Sequence, residues 1–319
     1  MRQGSILSPS LFNIFLDELL VKLQDLPHTI GAHDMHLNSV AYADDITVFS
    51  PTVPGLQTLI DTCQLYASKY RFKFGTKKSK CIVLGKPLLH QKPTWKLGDF
   101  ELITDTELEI LGVTFNQDLT YDTHVNKRIQ TARRRMLGLT SIGMSYPGLA
   151  ADVKAYLWNS IGAPTMLYGM DSILLSNKAL NKLKSTQGSI IKKAMGFYKR
   201  SHHSSLLQAM KIPPVTDLIN RSTGNLFHRI FQVESPARTF QCRALANYLV
   251  HGDLIKNSLL DRVVKSGYSP FKLLSSPPAK VTTSHDGLSD SIRYLLLNDN
   301  SLKPYSDEHF ITSLLLKAF

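Results

Sequence analysis

The sequence predicts an α+β fold, with a first portion in which helices cover one face of an antiparallel sheet and a longer, mostly α-helical portion after it. Three observations predict it. Val40-Ala41-Tyr42-Ala43-Asp44-Asp45-Ile46-Thr47-Val48-Phe49 sets apolar, β-prone residues on both sides of two adjacent carboxylates, the pattern of a strand, a tight turn and a returning strand. Apolar residues recur at helical spacing on either side of that stretch. Beyond residue 121 the helical period continues almost without strands, and the charge turns strongly positive.

A chain of 319 residues can bury a sizeable core and divide into two or three domains. No apolar run reaches the length of a membrane span, and the stretch from Leu11 to Leu20 is interrupted by Asn13, Asp17 and Glu18, so no secretory signal fits either. Cys63, Cys81 and Cys242 are odd in number and far apart, which argues against a disulfide framework or a Cys-His zinc module. A reduced compartment, nucleus or cytoplasm, is the expected location, with no membrane partner. Net charge is +12 and unevenly placed. Residues 1–120 carry 11 basic and 13 acidic side chains, 121–234 carry 16 and 5, and 235–319 carry 10 and 7. Acids early and bases late suit a polyanion, with a nucleic acid the obvious candidate.

In order, Met1 to Pro9 reads as a loop closing onto a helix, with Ser8 as N-cap and Pro9 at the first helical position. Leu11, Phe12, Phe15, Leu19 and Leu23 form its stripe. Residues 25–39 read as a loop. The hairpin is expected to be mostly buried with Asp44 and Asp45 at its tip. Neighbouring acids oppose each other's ionisation, and a divalent cation relieves that cost, so the tip is a plausible half of a phosphoryl-transfer site. Pro51 to Gly55 reads as a turn, and Leu56, Leu59, Ile60, Cys63, Ala67 and Tyr70 as the stripe of the next helix. Lysines then surround Phe72, Phe74 and Gly75. Ile82-Val83-Leu84, Trp95 to Phe100 and Glu109 to Phe115 read as strands. Residues 122–234 read as basic helices punctuated by Pro164, Gly169, Gly196 and Pro213-Pro214. A helix ending at His251-Gly252, a loop over 275–284 and two short helices, near 290–297 and 307–318, complete the chain. The expected domains are 1–120, 121–234 and 235–319.

Taken together, Arg2-Gln3-Gly4-Ser5 with Leu7-Ser8-Pro9, then Tyr42-Ala43-Asp44-Asp45, resemble in order and spacing a reverse transcriptase of the non-LTR (LINE-type) retrotransposons. Gly75-Thr76-Lys77-Lys78-Ser79 resembles the family's lysine motif, Ile110-Leu111-Gly112-Val113 its Leu-Gly turn, and Pro164 to Met170 a thumb motif. The resemblance covers roughly residues 2–230 and implies part of a polymerase palm over 1–120, a basic helical thumb over 121–234 and a C-terminal helical extension.

It also implies roles. Asp44 and Asp45 bind two Mg2+ ions. Tyr42 and Ala43 lie under the primer end, Gln3 and Gly4 border the incoming dNTP and templating base, and Lys78 faces the pyrophosphate. Leu111 and Gly112 place the primer. Lys127, Arg128, Arg133, Arg134, Arg135, Lys192 and Lys193 hold the backbone of an RNA–DNA hybrid of template and primer. The family's site takes a further aspartate from a strand upstream of the Gln3-Gly4 loop, so this polypeptide alone is expected to be inactive. The alternative is a basic RNA- or DNA-binding protein derived from such an enzyme, without chemistry. Gly75, Ile110 and Asp171 depart from the family's common asparagine, aromatic and glutamate.

Overall fold

A computed structural model describes residues 6–27, 37–85, 93–145, 148–252, 254, 256 and 258–278. They form an α+β fold in two compact units that meet in the chain at Thr120 and Tyr121.

The first unit is built on two helices, α1 (Ser8–Gln24) and α2 (Val53–Lys69). In α1 the buried stripe is Leu16, Leu19 and Leu23, one turn-spacing apart, while Leu11, expected inside, faces solvent. The expected N-cap also moves: Leu7 is the cap and Ser8 is already helical, with Pro9 in the first turn, where a missing N–H costs nothing. Helix α2 starts inside the expected Pro51–Gly55 turn, because the Thr52 hydroxyl accepts from the Gly55 N–H at 3.1 Å and Pro54 again falls in a first turn. Leu16, Leu19 and Leu23 meet Leu59, Cys63 and Tyr66, and Phe12, Phe15, Ile46, Val48, Phe72 and Phe74 close over them. Burial pushes the Cys63 thiol up to about 12 and the Cys81 thiol to about 11, so both stay protonated.

The strands form three small sheets among the described residues, where one antiparallel sheet was expected. Among the described residues the hairpin strands β1 (Ser39–Tyr42) and β2 (Asp45–Val48) pair with each other and with no further strand. Strand β3 is Lys80–Cys81, two residues before the expected Ile82-Val83-Leu84, and runs parallel to β5 (Phe100–Thr104), which pairs antiparallel with β4 (Trp95–Leu97). The expected strand over 109–115 is instead a hairpin, β6 (Glu107–Ile110) and β7 (Val113–Asn116), folded at Leu111-Gly112. Helix α2 anchors β4 by side chain. The Gln57 carboxamide takes the Lys96 N–H at 2.9 Å and donates to its carbonyl at 2.8 Å, as a neighbouring strand would, and the Trp95 indole donates to Val53 O at 3.0 Å.

Glu18 ties α1 to α2 at the surface. Its carboxylate accepts from Lys22 at 2.8 Å and Lys69 at 2.7 Å and from the Tyr70 hydroxyl, and these bonds, Lys22 first, hold its pKa at about 2. A carboxyl depressed on folding contributes stability that is complete above its unfolded value near 4.5 and lost as pH falls towards 2. Acid titration followed by circular dichroism is therefore expected to reveal a loss of stability across that window which Glu18→Gln removes. An unchanged titration in the variant would refute it.

The second unit is helical: α3 (Asp122–Gly138), α4 (Ala151–Leu157), α5 (Ala163–Leu167), α6 (Asn177–Met195), α7 (His203–Ala209), α8 (Val215–Phe231), α9 (Pro236–His251), α10 (Leu259–Lys265) and α11 (Pro270–Ser275). A π-helical turn, Trp158–Gly162, joins α4 to α5. Gly162 is required there, since a Cβ would come within 2.4 Å of the buried Trp158 ring. Lys154 of α4 is only 2 % exposed, its ammonium donating at 2.9 Å to Ala194 O at the C-terminal end of α6, where the helix dipole favours a cation. At the Pro213-Pro214 break, buried Gln187 donates to Pro213 O and accepts from the Val215 N–H, replacing the bonds that proline cannot make. Helix α8 then shares an apolar cluster with α9, α10 and α11 through Phe227, Ala244, Leu245, Leu260, Val263 and Leu273. The expected segments over 290–297 and 307–318 lie outside the described residues.

Candidate active site

The acidic turn is made by local register. Tyr42 pairs with Asp45, which leaves Ala43 and Asp44 as a two-residue turn. Ala43 holds φ at 51°, a left-handed value that costs a residue with a Cβ about 1–2 kcal/mol and is found where function over-determines the backbone. Behind the turn, Ile46 and Val48 anchor β2 in the α1–α2 core, and Asn38 before β1 donates to Leu23 O. The anchoring covers only the base of the hairpin. Val40, Tyr42, Ala43, Asp44 and Asp45 are exposed, which corrects the expectation of a mostly buried ribbon: β1 and β2 have no third strand or covering helix at the tip among the described residues.

Both carboxylates are therefore free of protein partners among the described residues, with no hydrogen bond or ion pair on either. They are hard oxygen donors and suit Mg2+, but they come from one turn. Among the described residues no group of three or more His, Cys, Asp or Glu gathers to complete a cage.

Lys78 lies on the tight turn that follows Phe74, held by the Lys78 and Ser79 N–H groups on Gly75 O at 2.9 and 3.0 Å. The turn is fixed from below. Phe74 meets Phe72 with ring centroids 5.3 Å apart, Phe72 meets Phe15 at 5.8 Å, and both Phe72 and Phe74 join the cluster that holds Ile46 and Val48. The acidic hairpin and the lysine turn thus stand on one core. The aromatics between lysines were the signal for this in the sequence, but only packing reveals the partner. At Gly75 an added Cβ would meet only Lys78 carbons, at 3.9 Å or more, so an asparagine would fit there. Leu111 and Gly112 form a turn with φ of 49° and 78°, the sign pattern of a type I′ hairpin, so Leu111 too carries left-handed strain. Gln3 and Gly4 lie outside the described residues.

The basic residues of the second unit divide into two sets. Arg128 donates twice to Thr165 O, at 2.9 and 2.6 Å, and stacks over Tyr168 at 4.8 Å, while Arg135 donates to the Thr165 hydroxyl at 2.8 Å. Helix α5 ends at Leu167, so Thr165 O lacks its helical donor, and Arg128 supplies one. Lys192 turns back onto Lys199 O and Ser201 O. Arg133, Arg134 and Lys193 project into solvent, and Lys127 is exposed on the same helix as the first two. No helix among the described residues is long and apolar enough to cross a membrane.

Residues 1–115 match the family model for reverse transcriptase (RNA-dependent DNA polymerase). The chain is similar to the RNA-directed DNA polymerase from mobile element jockey of Drosophila melanogaster, 22% identical over 258 residues, covering 77% of this chain and 27% of the relative. Against the jockey polymerase of Drosophila funebris it is 24% identical over 238 residues, 71% of this chain and 25% of the relative. A shorter stretch of 87 residues is 38% identical to the Retrovirus-related Pol polyprotein from type-2 retrotransposable element R2DM of Drosophila melanogaster, covering 27% of this chain and 8% of that one. The chain spans about a quarter of the length of the jockey relatives it matches. The turn at Asp44-Asp45 thus lies within the segment that matches the reverse transcriptase family, and over a longer stretch the chain is similar to RNA-directed DNA polymerases of mobile elements.

Proposed function

We propose that this chain supplies part of an RNA-directed DNA polymerase site, with residues 1–120 as palm and the helices from 121 as thumb. The observation that carries this reading is the β1–β2 turn, which presents two carboxylates, unpartnered among the described residues, on a strained backbone within the segment matched by the family. Asp44, and less critically Asp45, would hold Mg2+, which when bound supplies Lewis acidity for in-line nucleotidyl transfer. Tyr42 and Ala43 would support the primer end, Leu111-Gly112 would help to place it, and Lys78 would offer a proton or positive charge to the departing pyrophosphate. Gln3 and Gly4 would border the dNTP and templating base. Lys127, Arg133, Arg134 and Lys193 would hold the RNA–DNA hybrid by its phosphates, while Arg128, Arg135 and Lys192 would act through the elements they brace. Template sequence would be read by base pairing. An intracellular site of action, nucleus or cytoplasm, suits this substrate.

Two carboxylates from one turn cannot enclose two ions about 3.5–4 Å apart without a bridging acid from another element. The 319-residue polypeptide by itself is accordingly expected to hold a divalent ion weakly and to extend no primer. Substoichiometric Mn2+ should broaden the amide resonances of residues 43–46, and Asp44→Asn with Asp45→Asn should abolish that broadening. Broadening spread over other acids and unchanged in the variant would sink the metal-seat reading. Magnesium-dependent extension of a DNA primer on an RNA template by this polypeptide, lost in Asp44→Ala, would overturn the expected inactivity. The second reading, a non-catalytic nucleic-acid binder, is favoured by the solvent-facing bases of α3 and α6. It would leave hybrid binding intact and the Mn2+ response absent.

A further inference from the structure

We infer that the loop between α6 and α7 is a stacking platform for an unpaired nucleotide of single-stranded nucleic acid. The inference rests on the second unit's handling of nucleic acid and adds a site outside the proposed catalytic residues, next to the backbone-holding Lys193.

Helix α6 ends at Gly196, whose left-handed φ of 75° turns the chain outward, with the Phe197 N–H bonded to Lys192 O at 2.9 Å. The next two residues are aromatic and uncovered. Phe197 is 51 % exposed and Tyr198 is 87 % exposed. Neighbouring apolar rings left in water are unfavourable unless something covers them.

The loop is built, not slack. The Lys192 ammonium reaches from the last turn of α6 to Lys199 O at 2.6 Å and Ser201 O at 3.2 Å, and the Ser201 N–H closes a turn onto Tyr198 O at 3.1 Å. Beyond it, α7 approaches α6 so closely that a Cβ on Gly188 would lie 2.9 Å from His203 Cβ. The backbone beneath the rings is therefore held at both ends, and a base that stacks there loses little loop entropy on binding.

Charge selects the occupant. From residue 172 to residue 216 there is no Asp or Glu, while eight Lys and Arg fall in that interval. Lys193, Lys199 and Arg200 flank the two rings and are exposed. Flat π-faces beside unopposed cations match a base with its phosphates, and such stacking tolerates any sequence. A duplex keeps its bases stacked on one another, so the platform would favour a single-stranded template or a frayed end.

The test uses the full chain. Trp95 and Trp158, its two tryptophans, are buried, so Tyr198→Trp places one exposed indole on the loop. Its emission should be quenched on adding a single-stranded oligonucleotide and much less by a blunt duplex of equal length. Phe197→Ala with Tyr198→Ala should weaken single-strand binding in fluorescence anisotropy by about tenfold to a hundredfold, with duplex affinity and thermal melting unchanged. Lys199→Gln with Arg200→Gln should reduce the salt slope of single-strand binding by about 1.4. Equal losses for single strand and duplex, or no quenching, would overturn the platform. So would a change of oligomeric state in the double alanine variant, which would make the rings a contact between copies. Failure of the metal seat would leave these readouts standing, because none involves Asp44 or Asp45.

Discussion

Asp44→Asn is expected to lower primer extension by about a thousandfold or more when residues 37–120 replace their counterpart in a jockey polymerase, which supplies the rest of the site. A carboxylate that holds a catalytic ion supports several kcal/mol of transition-state charge stabilisation, and roughly 4 kcal/mol corresponds to three powers of ten in rate. Asn keeps the size of the side chain and one oxygen, so the turn should fold as before; Ala43 and the Tyr42–Asp45 pair set its geometry, and among the described residues no protein bond depends on the Asp44 carboxylate. Asp45→Asn should have a smaller effect. The measurement is single-turnover extension at saturating Mg2+, with the unmutated chimera as reference. A loss of less than tenfold, with that reference active, would remove Asp44 from the metal site.

The second large effect concerns stability. Trp158→Ala is expected to destabilise the helical unit by about 3–5 kcal/mol, because it removes the largest fully buried side chain among the described residues and leaves a void beneath the π-helical turn. For a unit of this size that is a fall of roughly 10 °C in melting temperature. Trp158→Phe should cost less than half as much. The indole Nε1 is buried with no partner among the described residues, so losing it removes an unsatisfied donor along with the ring volume. Tyr156→Ala, two residues away and 69 % exposed, should stay within about 0.5 kcal/mol. Calorimetry on the three variants would check the order, and a Trp158→Ala melt unchanged from the parent would refute it.

The hairpin was legible because its information is local: a two-residue period on each side of a turn whose register Tyr42 and Asp45 define. The helices were legible for the same reason, except at their ends, where Thr52 and Leu7 shift the caps by a residue or more. The sheets were not. Strands of two to five residues take their partners from distant chain, and β3 pairs parallel with β5 across 23 residues, a choice that no window around Cys81 contains. The basic stretch of α3 was legible as charge, yet its sequence could not say that Arg128 and Arg135 would be taken by Thr165, since that depends on where α5 stops. Gly196 was legible as a break, but spacing could not say that Phe197 and Tyr198, beyond its left-handed cap, would be left in water.

The ring-to-ring chain from Phe12 through Phe15 and Phe72 to Phe74 has a kinetic consequence. Since the same rings roof the apolar side of β2, the base of the acid-bearing hairpin and the lysine-bearing loop are not expected to unzip one after the other at independent cost. They open as a single cooperative event whose free energy is that of parting α1 from α2, so any ligand that grips one of them slows the opening of both.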